Sequence, residues 1–245
     1  MRLMENPSHT YPLHHDFISI RTYNENMTTA IDLLNNGLKE LGLPCSEEQA
    51  CAFMTYLSEL KKWNRAYNLT ALKTDDDIIV KHFLDSLLYL KALPPGTLKL
   101  ADVGTGAGFP GIPLKIVRSE LKIALIESSG KKTAFLRHIT RLLNLGGTNV
   151  IEKRLEQLGK EYEKSFDVIV CRATFSTIDF FRMACPYLKD SGRLILNKGP
   201  KFSEELKELE QAKYKKLPAV DVMTVDLPFA NVQRNLIVLS CKMEP

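Results

Sequence analysis

The spacing of apolar residues changes character near the middle of the chain. From Ile31 to Leu90 they recur at helical intervals; from Leu98 onward, short apolar runs alternate with helical patterns. Ile31, Leu34, Leu38 and Leu41 predict a first helix that Gly42 and Pro44 close. Ser46 followed by Gln49 reads as a capping box for a second helix, with Phe53, Met54, Leu57, Leu60 and Trp63 on one face. Thr74 and the acidic run Asp75 to Asp77 open a third, which holds Ile78, Ile79, His82, Phe83, Asp85, Leu87 and Leu90. Pro94-Pro95-Gly96 breaks it. Residues 27–95 are therefore expected to form an N-terminal helical cap. Residues 1–26 are polar and irregular, a solvated tail by composition, and Met27 reads as an alternative start.

Residues 96–245 alternate between strand and helix. Strands are predicted at Leu98 to Val103, Ile123 to Ile126, Val150-Ile151, Phe166 to Cys171 and Leu194 to Leu196. Helices are predicted at Lys131 to Leu145, Ile178 to Leu188 and Ser203 to Tyr214. Val220 to Val225 and Leu236 to Leu239 form a pair of extended segments that can associate. This alternation predicts a parallel sheet covered on both faces, with ligands at the strand C-termini.

Composition adds boundaries. A hydrophobic fraction of 44% and a charged fraction of 25% are those of an ordinary globular chain. No apolar run suits a membrane span and no signal-peptide core is visible. Cys45, Cys51, Cys171, Cys185 and Cys241 form no CxxC pair, which suggests reduced thiols and a cytoplasmic setting. His14-His15 has no third ligand nearby, so no metal site is expected. The net charge of +4 permits an RNA partner without arguing strongly for one.

The chemistry centres on residues 98–111, a strand followed by a loop with Gly104, Gly106, Gly108 and Gly111. A dinucleotide fingerprint would put its third glycine where Phe109 stands, and no Gly-Lys-Ser or Gly-Lys-Thr follows to make a Walker loop. The remaining Gly-x-Gly-x-Gly after Asp102 resembles the cofactor loop of S-adenosylmethionine-dependent methyltransferases. Glu127 ends the second strand, where an ionised acid accepts from both ribose hydroxyls. Leu155-Glu156 follows the third strand, where Leu155 can offer an adenine an apolar face. Arg172 leaves the fourth strand into the same cleft, and a guanidinium there suits a carboxylate, a phosphate or a guanine. Trp63 and Tyr67 are expected in the core, while Asn64 and Asn68 could fix a loop or meet a ligand. His82 and Asp85 share a helix face, either as a buried pair or at the lip of the site. Basic residues cluster at Lys61, Lys62 and Arg65, at Lys131, Lys132, Arg137 and Arg141, and at Lys198 and Lys201.

From about Met27 to its C-terminus the chain resembles the bacterial RsmG family, also called glucose-inhibited division protein B. The resemblance rests on Trp63-Asn64-Arg65-Ala66-Tyr67-Asn68-Leu69-Thr70, His82-Phe83-Leu84-Asp85-Ser86, Asp102 to Pro113, Gly130-Lys131-Lys132 with Phe135-Leu136-Arg137, and Arg172-Ala173. Ala107, Leu155 and Asn197 depart from the usual family residues. The resemblance implies an α/β, Rossmann-like class I methyltransferase fold with a mostly parallel seven-stranded sheet. It implies S-adenosyl-L-methionine as cofactor, held by Gly104, Gly106, Phe109, Glu127, Leu155, Glu156 and Arg172. It implies methylation of N7 of a guanine in the 530 loop of 16S ribosomal RNA, as free RNA or in the 30S subunit or an assembly intermediate. Arg65, Asn68, Lys131, Arg137 and Lys198 are the candidate RNA contacts. N7 carries a free lone pair, so no general base is required. The competing expectations are a methyltransferase for another RNA or a small molecule, an NAD-dependent oxidoreductase, and a nucleotide-binding module without chemistry.

Overall fold

The computed structural model describes residues 29–172, 175–199, 202–211 and 218–240. Five strands run parallel: β1 (Lys99–Val103), β2 (Lys122–Glu127), β3 (Thr148–Glu152), β4 (Phe166–Arg172) and β5 (Leu188–Lys198). The two segments predicted to associate are an antiparallel pair, β6 (Ala219–Asp226) and β7 (Gln233–Ser240), and β7 also lies antiparallel to β5. The resulting seven-stranded sheet has the order β3-β2-β1-β4-β5-β7-β6. Strand order reverses between β1 and β4, and a crevice for a ligand opens at that switch point.

The cap contains α1 (29–40) and α2 (Glu47–Tyr67). The capping box is present: the Ser46 hydroxyl accepts from Gln49 N, and the Gln49 side chain accepts from Ser46 N. The third helical segment is less regular than its spacing predicts. It passes from α3 (Asp75–Ile78) through a π-helical stretch (Ile79–Leu84) to α4 (Asp85–Leu87), then tightens into a 3₁₀ turn (Leu88–Lys91). His82 sits in the π-helical stretch, where the wider turn changes which residues share a face. Beyond the glycine loop come α5 (Gly111–Val117), α6 (Gly130–Leu142), α7 (Thr177–Ala184) and α8 (Phe202–Gln211). The helix predicted to reach Leu188 stops at Ala184, because Pro186 has no N–H to continue the ladder; Leu188 begins β5 instead.

One apolar cluster joins the cap to the sheet. It includes Leu34, Phe53 and Phe83 from the cap together with Leu100, Leu125 and Val170 from the strands. Two buried tyrosines stitch the layers further. Tyr56 of α2 donates to the Ala107 carbonyl at 2.5 Å, and Tyr89 donates to the Cys171 carbonyl at 2.7 Å. Burial pushes both phenols well above their ordinary pKa, so both remain donors. The cap thus reaches the glycine loop and the end of β4. Trp63 is half-buried and packs on Phe135, but Tyr67 is 44% exposed, against the expectation that it joins the core. It stands in the last turn of α2, with the Trp63 ring beside it at 5.4 Å.

Candidate active site

The glycine loop is shaped by an acid beneath it and an aromatic stack beside it. Asp102 is the penultimate residue of β1 and is fully enclosed. Its Oδ2 accepts from Thr105 Oγ1 at 2.5 Å and Gly111 N at 2.7 Å, tying both ends of the loop to the strand. Burial raises its carboxyl to about 6. Gly106 has φ +61°, and a β-carbon there would meet nothing nearer than the Gly104 carbonyl at 4.0 Å. The space above this glycine is therefore open. At Gly108 the constraint is the opposite: φ is +107°, and a β-carbon would come within 2.7 Å of the Tyr56 hydroxyl.

Glu127 stands at the end of β2 and is 8% exposed. Its Oε2 accepts from Gly106 N at 3.0 Å and its Oε1 from Ser129 N at 2.9 Å. A carboxylate offers about four acceptor positions, so two bonds to backbone leave room for two ribose hydroxyls. The open space over Gly106 beside this acid fits the ribose of S-adenosylmethionine.

Phe109 is buried at the centre of a ring stack. Tyr56 lies 5.4 Å from it and His82 only 4.3 Å, centroid to centroid. Arg172, at the end of β4, places its guanidinium carbon 5.2 Å from the same ring. Its Nη2 donates to His82 Nδ1 at 3.0 Å and its Nη1 to the Lys81 carbonyl at 3.2 Å. Since Nδ1 accepts, the His82 proton resides on Nε2, which donates to Thr70 Oγ1 at 2.7 Å. Desolvation, with help from the Arg172 charge, pushes His82 down to about 3, so the ring is neutral. Asn64 fixes the intervening loop by accepting from Thr70 N at 2.9 Å.

Gly104, Gly106, Phe109 and Arg172 therefore line one small cleft with Thr70 and His82, and Glu127 joins it through Gly106. Leu155 and Glu156 lie in a 3₁₀ turn after β3 and do not line it. Leu155 is 2% exposed, within the cluster that holds Ile126 and Ile151. Its side chain offers no apolar face to an adenine; backbone is what this position can supply. Glu156 is exposed.

A second cleft, of about 600 Å³, shares Thr70, His82 and Arg172 with the first. Asp85 and Arg234 line it, and of the two only Arg234 has no local sequence signal. Asp85, 3% exposed, accepts from Arg234 Nε at 2.7 Å and lies 3.5 Å from Arg172. His82 and Asp85 are each satisfied and each meet Arg172, His82 on the wall of both clefts and Asp85 on that of the second.

The candidate RNA contacts separate into two groups. Lys198 is withdrawn from solvent: its Nζ donates to the Phe175 carbonyl at 2.5 Å and lies 2.8 Å from Glu205 on α8. That burial contradicts an RNA contact there. Arg137 is paired with Glu152 at 3.0 Å, Lys61 with Asp75, and Lys62 with Glu59. Arg65, Asn68 and Lys131 are exposed, Asn68 as the left-handed C-cap of α2. Lys201, the His14-His15 pair, Met27 and the tail lie outside the described residues.

Comparison with known proteins agrees with this architecture. Residues 49–237 match the family model of GidB, described as rRNA small subunit methyltransferase G. The chain belongs to this family. It is 40% identical over 213 residues to ribosomal RNA small subunit methyltransferase G of Geobacter sp. (strain M21), covering 86% of this chain and 97% of that one. The corresponding protein of Geotalea uraniireducens (strain Rf4) is 45% identical over 171 residues, 70% of this chain and 78% of the other. Among solved structures, the METTL16 MTase domain aligns at a TM-score of 0.54 and 13% identity, covering 79% of this chain and 80% of that one. A SAM dependent methyltransferase from Aquifex aeolicus gives 0.51 and 19%, covering 75% and 98%. The family member is a methyltransferase that uses S-adenosylmethionine. That sets aside the oxidoreductase and the binding module without chemistry. Among the described residues no helix is long and apolar enough to cross a membrane. Cys45, Cys51, Cys171 and Cys185 are not joined in disulfides among the described residues.

Proposed function

We propose that the protein methylates N7 of a guanine in the 530 loop of 16S ribosomal RNA. The observation that carries this reading is the pair of clefts meeting at Arg172 and His82, in a chain of the small-subunit methyltransferase G family. Gly104, Gly106, Phe109, Glu127 and Arg172 hold S-adenosylmethionine, with backbone near Leu155 and Glu156 meeting the adenine. When bound, the cofactor supplies an electrophilic methyl group on a sulfonium. N7 attacks through its own lone pair, so no residue has to remove a proton first. The neutral His82 suits that chemistry: it buttresses Phe109 and Arg172 rather than shuttling protons. The protein supplies orientation and exclusion of water, the source of much of the rate in a two-substrate reaction. A base inside a stem or stack has to be turned out to reach the second cleft. Arg65, Asn68 and Lys131 are the surface contacts we assign to the surrounding RNA, in the cytoplasm where ribosomal subunits are assembled.

The test is transfer of labelled methyl from S-adenosylmethionine to small-subunit RNA, free and assembled, followed by nucleoside analysis. Label in 7-methylguanosine is expected. Label in another nucleoside, or none on either substrate, would overturn the assignment.

A further inference from the structure

The second cleft contains hydrogen-bonding groups that the protein itself leaves unused. Asp85 holds Arg234 by its Nε, and among the described residues the two terminal nitrogens of Arg234 meet no partner. Asn197 donates its Nδ2 to the same carboxylate at 3.4 Å. Asn197 is 4% exposed, and its Oδ1 has no hydrogen-bond partner among the described residues. An unsatisfied acceptor in so buried a residue is costly unless a ligand meets it. The cleft is therefore lined by a guanidinium fork of donors, with one buried, unpaired acceptor in the neighbouring Asn197.

That arrangement fits one purine edge and opposes another. Guanine presents an acceptor, O6, followed by donors at N1 and the 2-amino group. Adenine presents a donor at N6 and an acceptor at N1, the reverse order. O6 is also the neighbour of N7, so a residue reading O6 has to stand beside the wall shared with the cofactor cleft. Arg172 and His82 form that wall, and Arg234 is joined to Arg172 through Asp85. The Asp85 carboxylate offsets guanidinium charge near the purine, which becomes cationic on methylation.

Resting on the N7-guanine reading above, we propose that this cleft receives the target base, with Arg234 donating to O6 and Asn197 Oδ1 accepting from the donor edge. Arg234 and Asn197 are then specificity-determining residues, and Asp85 is a positioning residue that aims them.

The experiment compares small-subunit RNA carrying guanine at the target with the same RNA carrying 2-aminopurine, which lacks O6 and with it the N1 proton, or inosine, which keeps both and lacks only the 2-amino group. For the wild type, kcat/KM is expected to fall roughly tenfold or more on 2-aminopurine RNA. Arg234→Met is expected to lose about as much on guanine RNA and little further on 2-aminopurine RNA. Asn197→Leu is expected to show the same coupling with inosine. S-adenosylhomocysteine affinity stays unchanged in both variants. Equal proportional losses on all three RNAs, or a loss of S-adenosylhomocysteine affinity, would overturn the assignment. Should Arg234→Met not fold, the wild type alone decides: undiminished kcat/KM on 2-aminopurine RNA would overturn the O6 contact. A wild type inert on guanine RNA would overturn the methylation reading itself.

Discussion

His82 lies flat against Phe109, with ring centroids 4.3 Å apart and planes 19° from parallel. The contact joins the π-helical stretch of the cap to the residue that stands in the place of a third fingerprint glycine. It also explains why an aromatic belongs there. Phe109 fills the space between Tyr56, Phe83 and His82 and carries the Arg172 guanidinium over its face. Phe109→Ala is expected to cost about 3–5 kcal/mol in urea unfolding and to weaken S-adenosylhomocysteine binding. Undiminished cofactor affinity in a folded Phe109→Ala would separate the stack from the site.

His82 is held neutral by burial and by the Arg172 charge, at about 3. It therefore makes no proton transfer near neutral pH. The pH–rate profile of His82→Asn is expected to keep the wild-type shape at a lower plateau. A limb near the ordinary histidine pKa, of about 6.5, present in the wild type and missing in His82→Asn would show that the imidazole titrates during turnover.

Asp102 gives a signed dependence on pH. Burial raises its folded-state carboxyl to about 6, whereas in an unfolded chain an aspartate titrates at about 4. The folded state binds the extra proton between those values. The favourable contribution is thus fully present below about pH 4 and is lost as pH rises through about 6. Asp102→Asn keeps an acceptor for Thr105 and Gly111 but cannot ionise. In urea titrations the stability of the wild type minus that of Asp102→Asn is expected to fall across this window. A constant difference would mean that folding does not shift the Asp102 carboxyl.

Lys198 and Lys131 separate structural from RNA-facing charge. Lys198→Ala removes the cation beside Glu205, which Thr177 still holds, and the donor to the Phe175 carbonyl. It is expected to lower stability, with little change in the salt dependence of RNA binding. Lys131→Ala and Arg65→Ala alter exposed positions and are each expected to reduce the slope of log K against log salt by roughly one phosphate contact. Unchanged slopes in both would remove these two residues from the RNA surface.

Much of this arrangement was legible in sequence because it is local. The capping box, the glycine loop, the acid closing β2 and the strand–helix alternation are all signals within a few residues of one another. What sequence did not show depends on contacts between distant segments. Tyr56 reaches a carbonyl 51 positions away, and Arg234 reaches Asp85 across 149. Lys198 reads as surface charge although Glu205 is only seven positions on, because the turn that brings α8 back against it, and the Phe175 carbonyl 23 positions earlier, carry no spacing signal. Leu155 followed a strand as expected, yet its side chain turns into the core, where apolar burial outweighs exposure to a cleft.

The most direct measurement is mass mapping of 16S ribosomal RNA from cells lacking this gene, complemented with the wild type or with Glu127→Ala. The 7-methylguanosine of the 530 loop is expected to vanish on deletion, to return with the wild type, and to stay absent or much reduced with Glu127→Ala. Full methylation in the deletion strain would contradict the assignment, and full restoration by Glu127→Ala would contradict the cofactor site built around that carboxylate.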